Sequence, residues 1–127
     1  MKHINPETWP RPSGYSNGIA AEGKMIFVAG MVGWNTEGVF PAGFKAQLQQ
    51  VLENTVAVLQ AGGAGPEHIV RMTWFVKDLD AYRQNIPAIG QIYRQVIGKN
   101  FPVMAVVGVN DLVERDALLE IETTAVL

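Results

Sequence analysis

Cysteine is absent from the 127 residues. That excludes disulfides, thiolate metal sites and cysteine nucleophiles together, and it fits a reducing compartment. Histidine is scarce: His3 and His68 stand far apart, so no zinc site is expected. Charge is sparse too. Only 17% of residues are charged, the net charge is −2, and the ten Lys and Arg residues are scattered. A phosphate-tracking surface needs clustered cations, so nucleic-acid binding is not expected. No apolar run reaches the length of a membrane span, and Met1 to Pro6 lacks the apolar stretch of a secretory signal. The chain therefore reads as cytoplasmic, without membrane association.

Two further chemistries find little support. Ser13 and Ser16 occupy no nucleophile-elbow context. Gly62-Gly63-Ala64-Gly65 follows a helical pattern instead of preceding one, the wrong side for a phosphate loop.

What the chain has is apolar content, 48% of its residues. A chain of this size fits one domain over residues 1–127, burying about two thirds of its unfolded surface. Residues 1 to 18 carry Pro6, Pro10 and Pro12 and then Ser13 to Gly18, an extended, turn-rich lead-in. Trp9 and Tyr15 are expected to pin it by packing. Ile19 to Met31 reads as a hairpin, with Gly23 in a turn that needs positive φ and Gly30 at a bulge or close backbone approach.

Phe44 to Ala61 is the clearest helix. Phe44, Leu48, Leu52, Thr55, Val56 and Leu59 recur at helical spacing, and Gly62-Gly63 ends it. Gln47, Gln50 and Asn54 read as its solvated face. In the strand Ile69 to Lys77, Val70, Met72, Trp74 and Val76 share one side. A second helix begins near Ile86, with Pro87 in its first turn and Ile89, Tyr93, Val96 and Ile97 as its stripe; Gly98 stops it. Two strands, Val103 to Val109 and Ala117 to Val126, flank a polar turn. In the second, Leu119, Ile121 and Thr123 oppose Glu120, Glu122 and Thr124. Carboxylates two residues apart share a face, and holding them together has a cost unless water, a cation or a donor relieves it. A solvated edge strand is one reading of that pair and a functional carboxylate is the other. These elements predict an α+β fold, a mixed β-sheet with two helices on one face.

Several stretches resemble the Rid family, also called YjgF/UK114. They are Asn100-Phe101-Pro102-Val103-Met104-Ala105, Leu119 to Val126, Ile69 to Leu79, and Gly14-Tyr15-Ser16-Asn17-Gly18. The resemblance implies a chorismate-mutase-like, barrel-like homotrimer with a small-molecule cleft between subunits. It also implies enamine or imine deaminase activity, with no cofactor and no metal. By the same resemblance Glu120 aligns a hydrolytic water, while Tyr15, Gly30 and Met31 line the cleft. The sequence departs from the family pattern at three places. Gly14 replaces a proline, Ala29-Gly30-Met31 replaces Ser-Gly-Gln, and Met104 replaces the arginine of a Pro-Ala-Arg motif.

A guanidinium grips a carboxylate through two parallel bonds; methionine has neither donor nor charge. Losing that clamp costs on the order of 1.5–3 kcal/mol of binding. Three readings follow. A different, less anionic imine or enamine is hydrolysed; Arg11 or Arg71 supplies the cation instead; or the cleft binds a ligand without turnover. Against these, Met104 reads as a packing residue and Arg71 as the ion-pair partner of Asp78 or Glu122. A ribonuclease role fits poorly with an acidic chain holding two isolated histidines.

Overall fold

The computed structural model describes residues 1–127. Its strands are β1 (Lys2–Ile4), β2 (Gly18–Ala20), β3 (Met25–Met31), β4 (Ile69–Val76), β5 (Val103–Gly108) and β6 (Leu119–Val126). Its helices are α1 (Phe44–Ala61), α2 (Leu79–Gln84) and α3 (Ile86–Val96), with a 3-10 turn at Pro66–His68. The main sheet runs β3-β6-β4-β5; β4 and β5 are parallel, and β6 is antiparallel to both its neighbours. It is the mixed α+β sheet that the pattern predicts, but with three helices in place of two, since the short α2 is set by the Asp78 cap and carries no long apolar stripe of its own.

The helices cover one face. From α1 come Leu48, Val51, Leu52 and Leu59, and from α3 Ile89 and Tyr93, followed by Ile97 at its C-cap. They meet Met72, Trp74 and Val76 of β4 and Leu119 and Ile121 of β6. Each such large side chain removed from water contributes about 1.5–3 kcal/mol, so this layer dominates the stability. The Trp74 ring lies 6.3 Å from both Tyr82 and Tyr93, edge-on to the former.

Local chemistry sets the boundaries. Gly63 takes φ +83° just past α1. Asp78 caps α2, its carboxylate accepting from the backbone N–H of Asp80 and Ala81 at 3.0 and 3.1 Å. Pro87 sits in the first turn of α3, where a missing N–H costs nothing.

Five further expectations are corrected. Ile19 to Met31 is not a hairpin: β2 pairs with β1, and β3 pairs with β6. The lead-in thus contains a strand, β1. Second, β6 is not an edge strand but lies inside the sheet, and β4 separates it from β5. Its pairing on both sides satisfies backbone groups that an edge would expose. Third, Ile69 rather than Val70 is buried at the start of β4, because the register with β6 shifts between Ile69 and Arg71. Fourth, Trp9 and Tyr15 do not bury in the protomer, being 56% and 42% exposed. Fifth, the polar stripe of α1 is structural. Gln47 is only 3% exposed; it donates to Asp116 O at 2.9 Å and accepts from Leu118 N at 2.8 Å. Asn54 donates to Val32 O and Trp34 O. These amides satisfy loop backbone that would otherwise be buried and unpaired.

Candidate functional site

Glu120 stands on β6 between the buried Leu119 and Ile121, so alternation points it away from the helices. It is half-buried and makes no hydrogen bond or ion pair. Gly30 of β3 faces it: a Cβ at that glycine would come within 2.5 Å of Glu120 Oε2. The register of β3 against β6 shifts between Val28 and Met31, so Gly30 is both bulge and close approach. Met31 pairs with Ile121 and packs against the core.

Met104 lies on the opposite side of the sheet. It pairs with the fully buried Met72, and its half-buried side chain packs against the core, as the packing reading has it. Glu120 pairs with Phe75 on the same strand β4, three rungs from Met72. The two candidates are therefore roughly 10 Å apart along β4, at the rise of a strand, and on opposite faces.

Tyr15, Arg71 and Met104 line one cavity of about 280 Å³. A neighbouring groove of about 540 Å³ joins Tyr15 and Met104 to Trp74, Tyr82, Tyr93 and Arg94. Burial raises the phenols of Tyr82 and Tyr93 above their ordinary value of 10.0, so both stay neutral and Tyr93 donates to Asn100 O at 2.6 Å. The expected ion pair of Arg71 with Asp78 or Glu122 is not formed: the ion pairs are Lys77–Asp111 and Asp80–Arg83, while His68 Nδ1, 3.5 Å from Glu67, accepts from Gly65 N–H instead. Arg71 and Glu122 share a small cavity on the open sheet face, with Thr73 and Thr124. The protomer thus assembles two groups, Gly30 with Glu120, and Tyr15 with Arg71 and Met104. It does not bring them together.

Arg11 lies elsewhere. It lines a cavity of about 680 Å³ with Lys99, His3 and Ser16, and Tyr15, Ser16 and Asn17 form the wall shared with the Met104 side. Lys99 and Ser16 carry no periodic signal, since the cavity draws on three separate segments. No group of side chains is arranged to hold a metal ion, and no helix is long and apolar enough to cross a membrane.

The four-stranded mixed sheet with helices on one face is a fold that known proteins share over nearly the whole chain. The family model described as Endoribonuclease L-PSP matches residues 8–127. The crystal structure of the Rid-family protein YyfB from Yersinia pestis is 36% identical, with a TM-score of 0.87, and the match covers 99% of this chain and 98% of that one. The 2-iminobutanoate/2-iminopropanoate deaminase of Escherichia coli K12 is 34% identical over 127 residues, 98% of this chain and 97% of that protein. Escherichia coli TdcF, whose crystal structure holds bound serine, is 30% identical with a TM-score of 0.72, covering 100% of this chain and 99% of that one. The chain belongs to the Rid (YjgF/YER057c/UK114) family.

Proposed function

We propose that the protein is a divergent Rid-family imine or enamine deaminase of the cytoplasm, working as a barrel-like homotrimer with its cleft between subunits. The observation that carries this reading is Glu120, a half-buried and unpartnered carboxylate seated over Gly30 on an inner strand. A carboxylate whose surroundings are so arranged, with no structural partner of its own, is suited to a proton-transfer task. The split arrangement supports the trimer. The Gly30–Glu120 group of one protomer meets the Tyr15–Arg71–Met104 group of the next when copies join through their sheets. Phe27, 70% exposed on the uncovered sheet face, supplies apolar area for that contact.

In this cleft Glu120 takes a proton from water, and the water oxygen adds to the C=N carbon. The C–N bond then breaks. Nitrogen leaves as ammonia with both protons of the water, and oxygen stays as the carbonyl. Met104 offers no cation for a substrate carboxylate, so the substrate is a less anionic imine unless Arg71 reaches it. The test is ammonia release from a ketimine without a carboxylate. Replacing Glu120 by Gln is expected to slow it about a hundredfold, in the range of one lost general base.

A second reading, ligand binding without turnover, is favoured by Met104 packing against the core. It gains if the wild type accelerates no imine yet melts at higher temperature with one bound.

A further inference from the structure

We propose that the cavity beneath the N-terminal arm, about 680 Å³, is a second binding site, for a small molecule carrying a carboxylate or phosphate group. The argument begins with charge. The chain as a whole is acidic, at −2. Yet this cavity is lined by Arg11 and Lys99, both exposed, and neither enters an ion pair. The one carboxylate in its lining, Glu67, lies 3.5 Å from His68 Nδ1, but that nitrogen accepts from Gly65 N–H and cannot donate to it, so the lining sets two cations against one carboxylate. Two cations sharing one concavity repel each other until an anion lies between them, and a guanidinium fork fits the two oxygens of a carboxylate or phosphate.

The floor is built before any ligand arrives. Ser16 is 8% exposed; its N–H donates to Pro102 O at 3.0 Å and its hydroxyl donates to Phe101 O at 2.5 Å. The single hydroxyl proton is thereby used. In the 2.7 Å contact with His3, Nδ1 must then be the donor and Ser16 Oγ the acceptor. His3 is fixed in that tautomer, with Nε2 left as its uncommitted nitrogen. Asn17 donates to Asn5 at 2.7 Å and ties the arm across the cavity. Three segments (the arm, the stretch before β2 and the stretch before β5) are held in register by these bonds, which lowers the ordering cost of binding.

The site is distinct from the Glu120 group, and Tyr15, Ser16 and Asn17 form the wall between it and the Met104 cavity. It is tested by titrating the full-length protein at low salt with inorganic phosphate in one arm and succinate in the other, by calorimetry. Saturable binding of one equivalent is expected; tighter phosphate binding assigns a phosphoryl ligand, and tighter succinate binding a carboxylate. The double substitution Arg11→Gln and Lys99→Gln is expected to weaken binding at least about tenfold, the loss of charge-assisted bonds. Lys24→Gln with Lys45→Gln removes the same charge outside the cavity and is expected to leave affinity within about twofold, as screened distant charges do. Glu120→Gln is expected to change nothing here, even if it abolishes deamination. Absence of saturable binding by either anion overturns the proposal. So does wild-type affinity in the Arg11/Lys99 variant, or an equal loss in the Lys24/Lys45 control.

Discussion

The Glu120 side chain lies across Gly30, so that a methyl group at residue 30 would stand 2.5 Å from Oε2 and 2.8 Å from Cδ. No real contact is that short, so Gly30→Ala must push the carboxylate aside. Its atoms are the far end of a flexible side chain, and the fold is expected to lose only about 1 kcal/mol, the low end for overpacking. Turnover, by contrast, should fall nearly as far as in Glu120→Gln. Ammonia release and thermal melting on the same preparation separate the two effects; a variant with full activity would remove Glu120 from the mechanism.

The buried Gln47 amide ties α1 to the segment leading into β6 through Asp116 O and Leu118 N. Gln47→Leu keeps the volume and strands both backbone groups. A loss of about 2–4 kcal/mol is expected, the desolvation cost of two unpaired groups, read as a lower urea midpoint with unchanged slope.

Tyr93 gives a pH signature. Burial raises its phenol above the ordinary 10.0, so the folded state holds this proton more tightly than the unfolded chain. Stability from the neutral phenol is full below pH 10.0 and falls as pH rises toward the folded-state value. Tyr93→Phe should cost about 1 kcal/mol near neutrality, from the lost bond to Asn100 O, and should flatten the alkaline decline. Melting temperatures from about pH 8 to about pH 11 bracket the ordinary tyrosine range and test the sign.

Phe27 probes the assembly. Sedimentation equilibrium is expected to give three times the 13.9 kDa of the chain. Phe27→Glu, which sets a charge on the uncovered face, should shift the mass toward the monomer. A wild type that sediments as a monomer would leave the cleft without its second half.

Much of the fold was legible because its signals are local. The boundaries of α1 and the start of α3 at Ile86 follow from stripe spacing, Gly62-Gly63 and Pro87. The alternation of Leu119, Glu120 and Ile121 assigned their faces correctly. Residue type alone marks Gly30 as a bulge or close approach, but not what it approaches.

The pairing of strands is not local, and neighbouring residues do not reveal it. β3 and β6 are joined by residues far apart in the chain, so nothing near Ile19 could say that β2 pairs with β1 instead. Gln47 looked solvated for the same reason: its partners sit 69 and 71 residues away. By itself the sequence determined the family, the two longer helices and which side chains alternate toward the core, since periodicity and motif are properties of neighbours along the chain. Only the tertiary structure decided that Glu120 lies on an inner strand over Gly30, that Met104 turns to the other face, and that Arg11 belongs to a different cavity. Those facts depend on strand order and register, which the chain settles only when distant segments bury their apolar faces against one another.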